Sequence, residues 1–199
     1  MFKLLLKCFL TLGILSSSLF ATPAQVILLR HGEKPSSGDS LSPTGFERAA
    51  MLASYFTGSL PFSMSPPVAL YAQRSSTNHT STRPVQTIAP LANAWQLPLY
   101  SSYSEDDYKQ MVDDIVANND YEGKMVMICW SRDHLGDIAS KFGVQDAPTW
   151  PSGVYNHLWI ITFDGNTVSS FQNLLQPPLP SLNNELIYPD RAGRKARQF

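Results

Sequence analysis

Short apolar runs alternate along the chain with stretches in which apolar residues recur every three or four positions. Residues 25–29, 68–71 and 124–130 are runs of the first kind, the pattern of strands buried on both faces. Ser42-Pro43 opens a stretch of the second kind, because Ser42 suits an N-cap and Pro43 the first helical turn. Phe46, Ala49, Ala50, Ala53 and Phe56 then fall at helical spacing. Arg83–Trp95 predicts a second helix, with Pro84 near its start and a kink expected at Pro90. Ser104 caps a third, on which Tyr108, Met111, Val112, Ile115 and Val116 form one apolar stripe. Residues 135–142 make a short fourth helix ending at Gly143. Residues 157–163 and 168–171 predict a hairpin turning at Asp164-Gly165. Pro61, Pro66 and Pro67 mark a loop, residues 73–82 form a polar one, and the Pro-rich stretch 176–180 ends the compact part. This order predicts one α/β domain with a sheet between helical layers. On such sheets ligands sit at the carboxyl ends of strands.

Charge divides the chain into three unlike parts. Lys3 and Lys7 accompany the 13-residue apolar run Cys8 to Phe20, and Ala21 to Ala24 is rich in small residues. That is the build of an export signal over residues 1–21. The run is short for a spanning helix, which needs roughly 20 residues. A periplasmic or secreted location is therefore expected, with no stable membrane span after the signal is removed. Over 22–190 the expected domain has 9 basic residues against 16 acidic ones. The tail, 191–199, holds four cations, Arg191, Arg194, Lys195 and Arg197. It is expected to be a mobile basic terminus. An acidic body excludes a broad nucleic-acid surface. Two cysteines exclude a disulfide framework and a four-cysteine zinc site. Cys129, in an apolar run, is expected to be a buried small hydrophobe.

The informative chemistry follows the first run. Val26-Ile27-Leu28-Leu29 leads directly into Arg30-His31-Gly32-Glu33. A neutral imidazole is a competent nucleophile toward phosphorus. A guanidinium presents a planar fork to phosphate oxygens. Glycine lets the backbone turn closely around an anion. By itself a histidine at a strand end is more often structural than functional.

Three blocks in order change that balance. Residues 29–35, Leu-Arg-His-Gly-Glu-Lys-Pro, resemble the nucleophile motif of the histidine phosphatase superfamily, also called phosphoglycerate mutase-like proteins. Leu41-Ser42-Pro43-Thr44-Gly45 with Ala49 is similar to its next block, and Arg83-Pro84-Val85-Gln86-Thr87 resembles its R-x-x-Q-T. The resemblance implies a three-layer αβα sandwich with a mostly parallel central sheet. It also implies phosphoryl capture on His31, with Arg30 and Arg83 binding the phosphoryl oxygens. No metal or organic cofactor is then required, and the partner is a small phosphorylated substrate or phosphate itself. Glu33 is expected to hold an arginine in place.

The sequence departs from the family after the run 124–130. Family members place a second histidine there. Here Trp130-Ser131-Arg132-Asp133-His134 follows, so Arg132 occupies the expected slot and His134 lies two residues on. His134 could reach the phosphoryl group, or Arg132 could bind it as a charged ligand. Alternatively both sit at a helix entry, with Asp133 as its cap and Asp137 paired to Arg132. Glu105, in Glu105-Asp106-Asp107, is the candidate general acid, although acids in a first helical turn also favour the dipole. His79 at the pocket mouth and Arg74 on substrate are weaker candidates, and His157, Trp150 and Trp159 are expected to pack. Asn78-His79-Thr80 fits a glycosylation sequon. The sequence thus predicts an exported phosphatase acting through His31, with a catalytically impaired phosphate- or phosphoprotein-binding module as the alternative. It is silent on oligomeric state.

Overall fold

The computed structural model describes residues 22–58 and 66–179. The expected export signal, the Pro61 turn and the basic tail lie outside these residues. Among the described residues, no helix is long and apolar enough to cross a membrane.

Six strands form one sheet: β1 (Gln25–Arg30), β2 (Pro67–Ala72), β3 (Leu99–Tyr100), β4 (Met125–Trp130), β5 (His157–Asp164) and β6 (Thr167–Leu175). Their spatial order is β3-β2-β4-β1-β5-β6. The first four run parallel, and β5 is antiparallel to both β1 and β6. The two-residue edge strand β3 has too little pattern to be read from sequence. The β5–β6 hairpin turns at Gly165-Asn166, one residue on from the expected Asp164-Gly165.

Helices α1 (Pro43–Gly58) and α2 (Arg83–Trp95) cover one face, and α3 (Tyr108–Ala117) and α4 (Arg132–Lys141) the other. Alternation along the strands divides the core. Ile27 and Leu29 of β1 meet Leu52, Phe56, Ile88 and Leu91. Val26 and Leu28 meet Met111, Ile115, Leu135 and Ile138. Each such fully buried large side chain contributes roughly 1.5–3 kcal/mol relative to exposure. The sandwich is therefore the three-layer arrangement expected.

Several local expectations change. Phe46 points to solvent, 48% exposed, because the buried stripe of α1 runs through Arg48, Ala49, Leu52 and Phe56. α4 begins at Arg132 rather than near Leu135. Its cap is the Ser131 side chain, which accepts from the Asp133 backbone, so Asp133 is not the cap. Gln176, which opens the stretch expected to end the compact part, is buried, 4% exposed.

The R-x-x-Q-T block and the nucleophile loop are joined by hydrogen bonds. The Gly32 N–H donates to Thr87 Oγ1 at 2.8 Å, and that hydroxyl donates to the Arg83 carbonyl. Gln86 Oε1 accepts from the Leu41 N–H at 2.9 Å. Arg83 donates to the Gly38 and Ser40 carbonyls and to Ser81 Oγ. Glu33, as expected, holds an arginine: Arg48, which also donates to Gln176 Oε1 at 3.1 Å.

Gly45 is fixed by space. A Cβ there would press on the Glu33 carbonyl and lie 3.0 Å from its nitrogen. Both are backbone atoms that cannot swing aside. A Gly45→Ala variant is expected to lose about 1–3 kcal/mol, as overpacked sites do, measured by denaturant unfolding. Unchanged stability would show that the nucleophile loop shifts freely off α1.

Candidate active site

β1, β2 and β4 end at the same edge, so their carboxyl ends deliver His31, Gln73 and Ser131 to one place. The His31 N–H donates to the Trp130 carbonyl, and the Gln73 N–H to the Cys129 carbonyl. The Gln73 side chain is fully buried and spans the gap between strands. Its Oε1 accepts from the Ser131 N–H at 3.0 Å, and its Nε2 donates to Glu105 Oε2 at 2.8 Å. A cavity of about 510 Å³ opens at this edge, lined by Arg30, His31, Arg83, Glu105 and Arg132 among others.

His31 is 7% exposed, and its Nδ1 lies 2.7 Å from the Gly32 carbonyl oxygen. A carbonyl can only accept, so this contact places the proton on Nδ1. Nε2 then carries the lone pair. Burial pushes the ring down to about 4, and Arg30 and Arg83 act in the same direction, against the raising effect of the Gly32 bond. The ring is therefore a neutral nucleophile across the physiological range. The same shift favours folding with the ring neutral. That contribution is whole above pH 6.5 and is lost as pH falls from 6.5 through about 4. NMR titration of the ligand-free protein is expected to show His31 gaining its proton near pH 4. A midpoint near 6.5 would refute this.

Arg30 is 5% exposed. Its Nη1 donates to the Val154 carbonyl at 3.0 Å, and its Cζ sits 3.9 Å from the centre of the Tyr155 ring. Trp150 Nε1 donates to the same carbonyl at 2.9 Å. Together these contacts fix the plane of the guanidinium. Arg30 Nε is buried without a protein partner, and burial lowers the pKa of the group. Both observations describe a cation short of counter-charge.

The sequence candidates separate in space. Arg132 lines the cavity and makes an ion pair with Asp133 at 3.1 Å, not with Asp137. His134 is not among the lining residues. Its ring stacks on Tyr108 with centroids 4.8 Å apart, and its Nδ1 meets Asp137 at 3.0 Å. Glu105 does line the cavity, on a 3₁₀ turn (Glu105–Asp107) held by a Ser104–Asp107 capping box and by Trp130 Nε1 donating to the Glu105 carbonyl. His79 also lines it, whereas Arg74 binds the Ser102 carbonyl and is not among the lining residues. Trp150 and Trp159 pack together, centroids 4.7 Å apart, and Cys129 is fully buried, which pushes its thiol far up.

Sequence reading missed Tyr155, Gln73 and Lys34 as lining residues. The first two have no motif. Only the aromatic after Val154 and the polar residue ending β2 could have signalled them. Among the described residues, no group of three or more His, Cys, Asp or Glu is placed to hold a metal ion.

No protein-family model matches the sequence, and no curated relative does. Solved structures do match in fold. One is the protein histidine phosphatase SixA complexed with tungstate, with a TM-score of 0.51 and 16% identity over 76% of this chain and 96% of that one. Another is phosphoglycerate mutase from Bacillus anthracis str. Sterne, with a TM-score of 0.53 and 10% identity over 78% and 94%. The arrangement of sheet and helices, with His31 just past the end of β1, is thus a phosphoglycerate mutase-like fold, shared with these two structures.

Proposed function

We propose that this protein is an exported phosphatase that hydrolyses phosphomonoesters through a phosphohistidine on His31. The observation that carries the reading is the Nδ1–Gly32 carbonyl contact, which leaves Nε2 as the lone-pair nitrogen of a neutral ring. Arg30, Arg83 and Arg132 line the same cavity. In the first step Nε2 attacks phosphorus, the bond to the ester oxygen breaks, and Glu105 gives that oxygen a proton. In the second, water attacks phosphorus, Glu105 takes the proton back, phosphate leaves and Nε2 is restored. The guanidinium groups neutralise charge on the transferring phosphoryl oxygens. Arg132 stands where the family places its second histidine and supplies charge in place of an imidazole donor. Hydrolysis is favoured over transfer because, among the described residues, no long insertion closes over the cavity to exclude water. The signal-like residues 1–21 support export to the periplasm or beyond.

Purified protein is expected to hydrolyse 4-nitrophenyl phosphate and to form an acid-labile, alkali-stable phosphoenzyme. Tight vanadate or phosphate binding with neither activity would instead establish the phosphate- or phosphoprotein-binding module.

A further inference from the structure

Two residues that line the cavity, Glu105 and His79, begin a row of alternating carboxylates and imidazoles. His79 is at its centre. Its Nδ1 lies 3.1 Å from Glu105 Oε2, and its Nε2 lies 3.2 Å from Asp106 Oδ2. Asp106 continues outward, its Oδ1 3.7 Å from His134 Nε2, and His134 Nδ1 meets Asp137. The row runs from the cavity to the surface: Glu105 is 12% exposed, His79 33% and Asp106 65%. The His79 backbone is fixed from the other side, where its N–H donates to Ser76 Oγ and its carbonyl accepts from the Ser76 N–H.

A neutral imidazole has one N–H, and both nitrogens of His79 face carboxylate oxygens. A proton on Nδ1 or on Glu105 Oε2 lies in the 3.1 Å gap between the two groups. Oε2 of Glu105 takes both the Gln73 and the His79 contacts, which leaves Oε1 without a protein partner among the described residues.

We propose that His79 is a positioning residue that shares one proton with Glu105 and so keeps that carboxyl charged with a proton for the departing ester oxygen. The inference rests on the phosphatase reading and assigns its acid a second member. An unperturbed carboxyl has a pKa of about 4 and an imidazole one of about 6.5, so a lone Glu would be empty at neutral pH. In the first chemical step the shared proton passes through Glu105 to the ester oxygen as its bond to phosphorus breaks, which leaves the pair one proton poorer. In the second, the proton released by the attacking water returns to the pair. Proton number is conserved over the cycle.

Leaving groups distinguish this role from a structural one. 4-Nitrophenolate departs without a proton, whereas the alkoxide of glycerol phosphate needs one. With the full protein, the ratio of glycerol phosphate to 4-nitrophenyl phosphate kcat is expected to fall by about 10-fold or more in His79→Gln. That variant keeps a hydrogen-bonding side chain but cannot carry the proton. Asp106→Asn, which removes the charge facing Nε2, is expected to shift the ratio the same way by less. An unchanged ratio, or equal losses on both substrates, overturns the proposal. Wild-type phosphoenzyme formation tests the phosphatase reading separately. If the wild type forms none and turns over neither ester, that reading fails and the role of His79 fails with it.

Discussion

A His31→Ala variant is expected to form no phosphoenzyme and to lose at least about 10³-fold in turnover of 4-nitrophenyl phosphate, the scale on which removing a nucleophile acts. The expectation follows from the division of labour on the ring. Nδ1 is committed to the Gly32 carbonyl, so Nε2 is the ring nitrogen available for attack, whereas both nitrogens of the other lining imidazole, His79, lie within 3.2 Å of carboxylate oxygens. Cys129 is fully buried and its thiol is pushed up, so it cannot substitute. The variant is also informative for binding. Arg30, Arg83 and Arg132 remain, so phosphate or vanadate affinity should survive the loss of turnover. Residual turnover within 10-fold of wild type would remove His31 from the mechanism. Simultaneous loss of anion binding and of cooperative unfolding would show that the substitution had damaged the fold.

The second large effect concerns Arg132. If its guanidinium replaces the family's second imidazole, Arg132→Ala should lower kcat by about 10²–10³-fold, as removal of one donor to a developing oxyanion does. Arg132→His should then recover part of that loss, because an imidazole suits the phosphoryl site of this fold. Asp133 competes for the guanidinium at 3.1 Å. Asp133→Asn should accordingly tighten phosphate binding rather than weaken it. Steady-state kinetics with 4-nitrophenyl phosphate and calorimetric titration with phosphate measure both. If Arg132→Ala matches wild type in both measurements, the loop after β4 contributes nothing to the anion site.

These expectations depend on features of unequal visibility in the sequence. The three motif blocks were legible because each is local. His31 sits in a contiguous string, and Ser42-Pro43 and Arg83-Pro84 announce helix starts by capping and by proline at the first turn. Their interdependence was not legible. That Thr87 bonds Gly32, that Gln86 bonds Leu41, and that Gly45 must lack a side chain against Glu33 are consequences of packing between segments far apart in the chain. The site shows the same division. Arg30, His31 and Arg83 were marked by motif, whereas Tyr155 reaches Arg30 only through the loop before β5. Gln73 looked like one polar residue in a polar loop, yet its buried amide joins the strand end to the acid. Phe46 misled because hydrophobic spacing alone does not choose between adjacent faces of a helix, and the Arg48–Glu33 pair required the other one. That Arg132 lines the cavity and His134 does not goes with the start of α4 at Arg132, ahead of the expected Leu135, with Ser131 as its cap.

The strand order has a consequence for how the protein is made. Among the described residues β1, which carries Arg30 and leads into His31, pairs with β4 and β5, which begin at Met125 and His157. A nascent chain that has emerged as far as Trp95 already holds the nucleophile and both motif arginines, but nothing lies beside β1 to present them. Met125–Trp130 lies between the two earlier strands in the sheet, so the edge that carries the candidate site is complete only in a chain that contains it.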